Sequence, residues 1–125
     1  MEKARIAVPS ALPGGLEAQV GAHFGHCDLY TIIDIENDAV AKVSTLPNVP
    51  HEQGGCMAPV QYLADNGVNL LIAGGMGMRP LMGFNQVGID VFYGADAPSV
   101  GIAVDALLKG ALTRFTQEYT CGGGR

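Results

Sequence analysis

The chain has 125 residues, which is the size of one domain with a single core. Its net charge of -5 offers no basic face, so we expect neither nucleic acid nor an anionic membrane surface as a partner. A hydrophobic content of 48% argues against disorder. No apolar run approaches the length of a membrane-spanning helix, and the N-terminus lacks the apolar segment of a signal peptide. We therefore expect a soluble cytoplasmic protein.

The hydrophobic pattern predicts five strands and three helices. The predicted strands are residues 4–9, 29–35, 39–46, 68–75 and 89–94, which are rich in apolar and β-branched side chains. The predicted helices are residues 57–67, 79–88 and 98–110, which begin or end at proline and glycine signals. A turn at residues 36–38 makes the second and third strands a hairpin. We assign residues 1–110 to the domain and residues 111–125 to a flexible polar tail.

This element order predicts where the loops lie. A hairpin reverses the chain direction, and so does each helical connection, so four of the five predicted strands run the same way. The loop at residues 10–27, the loop at 47–56 and the turn at 74–79 should then meet at one edge of the sheet. Ligands of open α/β sheets usually bind at the carboxyl ends of the strands. The sequence thus predicts one site at this edge.

Soft or borderline metal donors are concentrated in these loops. The candidate donors are His23, His26, Cys27, His51, Cys56, Met57, Met76 and Met78, and Arg79 in the same set of residues would add a positive charge. Thiolate, thioether and imidazole groups suit iron–sulfur, copper or zinc centres rather than magnesium or calcium. Because there is no CxxC pair, the spacing is not that of a zinc finger. A catalytic Cys–His pair is an alternative use of the same residues.

Three cysteines in a chain without an export signal favour reduced thiols over disulfides. Cys56 follows two glycines and precedes a helix, where a thiolate is stabilised. Cys121 lies in the predicted tail and is expected to be a free thiol. Each of the other candidates also has a structural interpretation. Cys27 can be a buried thiol, the histidines can hydrogen-bond to the backbone, and the methionines can fill gaps in the core.

Several stretches together resemble the dinitrogenase iron–molybdenum cofactor biosynthesis family. They are IAVP at 6–9, HFG at 23–25, YTIIDIEND at 30–38, LLIAGGMG at 70–77 and GIDVFYG at 88–94, and the resemblance extends from residue 4 to about residue 110. It implies a ribonuclease H-like α/β fold with a mixed five-stranded sheet. It also implies binding of a metal–sulfur cluster or its precursor, of an iron–molybdenum or molybdenum–copper sulfide type, and its delivery to a partner. The orange proteins of sulfate reducers, which hold a molybdenum–copper sulfide cluster, are one branch of similar size.

The resemblance supports some site residues more than others. His23 falls on the loop histidine of the family, and Gly74, Gly75 and Gly77 match its glycine turn. Cys56 stands where many relatives carry glycine or cysteine. His26 and Cys27 occupy positions that the family often fills with other residues, and the CGGGR tail matches no firm pattern.

We therefore predict a cluster-binding carrier rather than an enzyme. Cys56 or Cys27, together with His23, would supply the donor atoms, and His26 and His51 are further candidate metal ligands. Backbone amides of the glycine turn and the guanidinium of Arg79 would hold the anionic sulfide shell. The expected partners are the cluster and a donor or acceptor protein, with the chain a monomer or a weak homo-oligomer. The alternatives are a small Cys–His enzyme and a protein-binding regulatory or scaffold domain.

Overall fold

A computed structural model describes residues 2–21, 27–47, 57–76, 78–94 and 97–116, with only the backbone described for residues 57–59 and 79. The strands are β1 Lys3–Ser10, β2 Leu29–Glu36, β3 Ala39–Pro47, β4 Leu70–Ala73, β5 Asp90–Tyr93 and β6 Thr113–Arg114. The helices are α1 Met57–Asp65, α2 Met78–Gln86 and α3 Val100–Leu108. No helix in these ranges is long and apolar enough to cross a membrane.

The strands form one mixed sheet in the order β3-β2-β1-β4-β5-β6. β2 is antiparallel to both β1 and β3, β4 and β5 continue parallel to β1, and β6 is antiparallel to β5. The predicted mixed α/β class and the directions of the five predicted strands are confirmed. The predicted strand number was wrong, because the sheet has six strands and the additional one lies in the segment 111–125. The ribonuclease H-like classification stays a prediction.

Helices cover both faces of the sheet, and this explains why the central strands are apolar without interruption. On β1, Ile6 and Val8 pack in a cluster with α3, whereas Ala7 between them packs in a second cluster with α1 and α2. β4 repeats this alternation, with Leu71 facing α1 and α2 and Ile72 facing α3. The result is three layers, with a buried cluster on each side of the sheet.

A two-residue turn closes the predicted hairpin between β2 and β3. Asn37 and Asp38 both adopt positive φ, at 54° and 63°, and Glu36 pairs with Ala39. Asparagine and aspartate tolerate this left-handed conformation, whose twist matches that of the flanking strands. The turn therefore sets the pairing at the end of the hairpin, and the register between β2 and β3 shifts between Asp34 and Ile35.

The loop after β1 is packed against the beginning of α3. The Val100 N–H donates to the Ala18 carbonyl at 2.9 Å, and the Gly101 N–H donates to the Leu16 carbonyl at 2.7 Å. The Ser99 hydroxyl accepts from the Ile102 N–H as the helix N-cap. Because the loop carbonyls satisfy amides of the first turn of α3, this helix end fixes the loop instead of binding a ligand.

Candidate functional site

The ends of several elements meet at one edge of the sheet, which we call the carboxyl edge: β1, β3, β4 and β5 end there and β2 begins there. α1 also begins at the carboxyl edge, because the segment that follows the C-terminal end of this helix lies at the opposite edge of the sheet. There the Arg5 Nη1 donates to the Asn66 carbonyl at 2.9 Å, and the Asn69 N–H donates to the Arg5 carbonyl at 2.9 Å. The predicted convergence of strand ends is confirmed for these elements.

A cleft of about 420 Å³ opens at the carboxyl edge, and we call it the edge cleft. It forms because the loop turns back along the end of β1: Val20 bridges to Ser10, and the Gly21 N–H donates to the Pro9 carbonyl at 2.6 Å. Its lining residues are Ser10, Ala11, Gln19, Val20, Gly21, Cys27 and Asp28. Cys27 is the thiol among them, so the described part of the lining offers one soft donor atom.

Cys27 joins the edge cleft to the core. Its side chain is partly buried and packs against the cluster below α1 and α2, three residues before the fully buried Tyr30. Burial raises the pKa of Tyr30 far above its usual value, and the charge of Cys27, a hydrogen bond to Cys27 and the nearby Tyr62 raise it further. The Tyr30 hydroxyl is therefore neutral at physiological pH and lies in hydrogen-bond contact with the Cys27 side chain.

Sequence reasoning missed Tyr30 and Tyr62. Tyr30 lies in a predicted strand, where tyrosine is common, and Tyr62 lies in a predicted helix, so neither was singled out as a candidate site residue. A signal was present, since a tyrosine in a strand buried on both faces needs a partner for its hydroxyl. The spacing between positions 27 and 30 does not by itself reveal that partner. The contact between Tyr30 and Cys27 depends on the bend at residues 27 and 28, where the chain enters β2.

Two buried hydroxyl groups hold the loop that forms one wall of the edge cleft. The Ser10 Oγ donates to the Val8 carbonyl at 2.6 Å and lies 2.8 Å from the Thr31 Oγ1. Since a hydroxyl carries one hydrogen, the Thr31 hydroxyl is the donor to Ser10. The Thr31 oxygen in turn accepts from the Gly15 N–H at 3.1 Å. This chain of hydrogen bonds connects β1, β2 and the loop.

The predicted glycine turn also lies at the carboxyl edge. Gly74 and Gly75 follow the last residue of β4, and α2 begins at Met78. Met76 is 1% exposed and belongs to the core cluster under α1 and α2, so its thioether packs in the interior. The backbone of Arg79 lies in the first turn of α2. The turn thus brings a helix N-terminus to the same edge as Cys27.

The structure describes part of the predicted ligand set. Cys27, Gly74 and Gly75 lie at the carboxyl edge, whereas other predicted site residues lie outside the described ranges, namely His23, His26, His51, Cys56 and Gly77. Cys121 also lies outside them. Among the described residues, no group of three or more His, Cys, Asp or Glu side chains could hold a metal ion. The complete ligand set stays a prediction.

A larger cleft, of about 600 Å³, lies at the opposite edge of the sheet. It contains an ion pair, in which the Arg5 Nε lies 2.8 Å from the Asp34 Oδ1, and Lys42 stands opposite Asp34 in the strand register. The described residues that line it include no thiol, thioether or imidazole group. We therefore place the candidate site at the smaller edge cleft, where the donor chemistry is.

Comparisons with known proteins agree with this architecture. The sequence model of the family described as dinitrogenase iron-molybdenum cofactor matches residues 2–110. An uncharacterized protein of Methanocaldococcus jannaschii is 29% identical over 99 residues, which cover 78% of this chain and 83% of that protein. A Thermotoga structure described as NifB-like and of the DUF35 family is 29% identical, with a TM-score of 0.74 over 92% of this chain and 98% of that one. The apo orange protein of Desulfovibrio gigas, 24% identical, shares the fold with a TM-score of 0.76 over 90% of this chain and 93% of that one.

Proposed function

Because the chain belongs to the dinitrogenase iron-molybdenum cofactor family, as its sequence motifs predicted, we propose that it binds a metal–sulfur cluster or a cluster precursor and carries it to a partner protein. In this proposal the cluster is cargo, of an iron–molybdenum or molybdenum–copper sulfide type. The description of the family names a cofactor and not a reaction, and the proposal accordingly includes no catalytic step.

The observation that carries the proposal is the position of Cys27 in the edge cleft. Gly21 and Cys27 both line this cleft, and they bound the five residues that include His23 and His26. The two described residues that flank the pair of histidines in the sequence therefore both lie at the cleft. We assign Cys27 and the two histidines as metal ligands because thiolate and imidazole suit iron, copper and molybdenum–sulfur centres.

The second half of the proposed site comes from the two helices that begin at the carboxyl edge. Cys56 directly precedes the first residue of α1, and His51 belongs to the same connection from β3. The amide groups of a helix N-terminus favour anions, and sulfide-bridged clusters are anionic. We propose that Cys56 binds metal, with His51 as a further ligand.

The glycine turn and Arg79 would contact the sulfide shell in this proposal. Gly74, Gly75 and Gly77 have no side chains that would keep a bulky inorganic ligand away from the backbone amides. Arg79, in the first turn of α2, would add a positive charge. The described residues fit this site in part, since they supply one thiol, a cleft and a helix N-terminus at one edge.

Anaerobic reconstitution tests the proposal. The parent protein and the single variants Cys27→Ser, Cys56→Ser and Cys121→Ser are incubated with tetrathiomolybdate, with and without Cu(I), and in parallel with an iron–sulfide donor. Metals are counted after desalting. We expect a coloured parent protein, about tenfold or greater loss of metal retention in Cys27→Ser and Cys56→Ser, and parent-like retention in the control Cys121→Ser.

The same experiment distinguishes the alternatives. Equal retention by all four proteins, or loss only in Cys121→Ser, would contradict the ligand assignment. A parent protein that retains no metal with any donor would instead favour the protein-binding scaffold. Thiol-dependent hydrolysis of a thioester or peptide that is lost in Cys27→Ser would favour the Cys–His enzyme.

A further inference from the structure

The outer strand β3 presents a long edge with which no other described strand pairs. β3 stands at one end of the sheet order and has nine residues, whereas β6 at the other end has two. The backbone N–H and C=O groups on the outer side of an edge strand can pair with another extended chain. β3 is therefore the side of this sheet on which a further strand could form.

Two features limit the regular part of this outer side to residues 42–46, which we call the edge segment. The pairing of β3 with β2 is regular from Lys42 to Pro47, and it shifts on the other side of Lys42, where Ala41 is skipped. A β-bulge twists a strand locally, and proline has no N–H to donate. The edge segment therefore suits a short extended peptide better than the full edge of another sheet.

The two faces of the edge segment differ in chemistry. Lys42 stands opposite Asp34, on the face of β2 whose Ile32 packs under α1 and α2. Val43 stands opposite Ile33, which packs with α3 on the other face, and Val43 is 36% exposed. Successive side chains of a strand point to opposite faces. An added strand would thus place one side chain beside Lys42 and the next beside Val43.

Lys42 also lines the larger cleft of the sheet, which is locally basic in an acidic protein. Three of the seven lysine and arginine residues line this cleft together with two acidic residues, although the whole chain carries a net charge of -5. Arg5 is paired with Asp34, but among the described residues no ion pair involves Lys3 or Lys42. These two lysines leave a positive charge that an acidic partner would complement.

The exposure of this cleft favours a protein segment over a small ligand. Lys3, Arg5 and Lys42 are all exposed, so the cleft is shallow. Sites for small molecules usually enclose most of the ligand surface. A strand that pairs with a sheet edge needs no such enclosure, because backbone hydrogen bonds provide its affinity and alternate side chains provide its specificity.

A second copy of this chain fits the edge segment less well than a different protein. The edge segment reads KVSTL and contains no aspartate or glutamate. Two edge segments side by side would therefore bring no acidic group to either Lys42. The charge favours a partner segment in which acidic and apolar side chains alternate.

We propose that the edge segment docks an extended segment of a partner protein, which adds a strand to the sheet with an acidic side chain beside Lys42 and an apolar side chain beside Val43. The edge segment runs from the larger cleft toward the carboxyl edge, where β3 ends, so the docked strand would reach the edge that carries the candidate site. The inference deepens the proposed function, on which its biological meaning rests, because it names the surface and the chemistry of the partner. The docking itself can be measured without a cluster.

Three synthetic peptides of equal length test the docking. They alternate valine with glutamate, with glutamine or with lysine, and each is titrated into ¹⁵N-labelled protein while amide shifts and hydrogen exchange are followed by NMR. We expect the glutamate peptide to shift the amides of the edge segment and to bind about fivefold or more tightly than the glutamine peptide. It should slow the exchange of the outward amides about tenfold or more, and the lysine peptide should not bind.

Lys42→Gln and Lys109→Gln are the matched variants. Each removes the charge of one exposed lysine, and Lys109 lies on α3, where it pairs with Asp105. Lys42→Gln should bind the glutamate and glutamine peptides equally, whereas Lys109→Gln should keep the preference of the parent protein. The amide spectrum of each variant shows whether its fold is retained.

Other results would overturn the inference. Amide shifts without slowed exchange would mean that the peptide touches lysine side chains but adds no strand. Equal binding of the three peptides would remove the charge preference, and equal shifts with free glutamate would indicate an adventitious anion only. If the same amides shift when the protein alone is concentrated, a second copy occupies the edge segment.

Docking and cluster binding can fail separately. A parent protein that binds the glutamate peptide but retains no metal keeps the docking surface and loses the proposed function. Normal metal retention without peptide binding removes the docking surface alone. Lys42→Gln should retain as much metal as the parent protein, because Lys42 is not among the residues that line the edge cleft.

Discussion

At the scale of single residues, the position of the loop beside the edge cleft depends on two hydroxyl groups. Ser10 and Thr31 are both 0% exposed, and Thr31 donates to Ser10 while it accepts from the Gly15 N–H. When a buried or half-buried backbone amide loses its hydrogen-bond acceptor, the free energy of unfolding falls, because water does not replace the lost hydrogen bond. The wall of the edge cleft is therefore fixed by polar contacts and not only by apolar packing.

We predict that Thr31→Val lowers the free energy of unfolding by about 1–3 kcal/mol, although valine has nearly the same shape. The substitution removes the acceptor of the Gly15 N–H and the donor to Ser10. Urea denaturation measures the change. Thr45→Val is the control, because Thr45 pairs with Thr31 in the register but is exposed, and it should change stability by less than about 0.5 kcal/mol. Equal effects of the two substitutions would contradict the role of the hydroxyl.

At the scale of elements, the short strand β6 closes one side of the sheet. Phe115 follows it directly, is 6% exposed and donates its N–H to the Val91 carbonyl at 2.8 Å. Its ring contacts Tyr93 edge-on, with centroids 5.8 Å apart. In contrast, the Arg114–Asp90 ion pair at 2.7 Å is exposed on both sides. The contribution of β6 to stability should therefore come from Phe115.

We predict that Phe115→Ala destabilises the fold by about 3 kcal/mol, because it removes a buried ring and leaves a cavity beside β5. Arg114→Ala should cost less than about 1 kcal/mol, since an exposed ion pair contributes little. Guanidinium denaturation of both variants gives the comparison. Phe115→Ala as stable as the parent would show that β6 is not part of the cooperative fold.

The elements also show how far sequence reasoning extends. Strands such as β1 and β4 could be predicted because burial on both faces produces an unbroken apolar run, and the turn at Asn37 and Asp38 is marked by its residue types. β6 could not, because two residues show no periodicity and their partners in β5 lie about twenty residues earlier in the chain.

The site was predictable to a similar degree. The direction of each strand follows from the order of elements, so the meeting of Cys27 and the glycine turn at one edge could be inferred without coordinates. The contact of Cys27 with Tyr30 could not, because it depends on how the chain bends into β2. Whether His23, His26, His51 and Cys56 complete a ligand set stays a prediction.

At the scale of the whole molecule, the stability of the fold is linked to the proton on Tyr30. The core that holds this side chain spans β1, β2 and β4 together with α1 and α2. A charged tyrosinate in these apolar surroundings would lose its hydration and destabilise the folded protein. In the unfolded chain the same hydroxyl titrates near its ordinary pKa of about 10. Folding and the proton on Tyr30 are therefore coupled.

We predict that this coupling appears as alkaline unfolding. The pKa of Tyr30 is raised in the folded protein, mainly by burial, so its contribution to stability is complete below pH 10 and is lost as the pH rises above that value. The unfolded chain then binds fewer protons than the folded one, and the free energy of unfolding falls by about 1.4 kcal/mol per pH unit from this group. Urea denaturation between pH 8 and pH 11 should show this slope in the parent protein and a shallower one in Tyr30→Phe.

Cys27→Ala should keep most of the slope, because burial is the first cause of the shift and the charge of Cys27 only adds to it. If Tyr30→Phe loses stability with pH as steeply as the parent protein, a group other than Tyr30 causes the alkaline unfolding. If Cys27→Ala abolishes the slope, the charge of the Cys27 thiolate rather than burial is the main cause of the raised Tyr30 pKa.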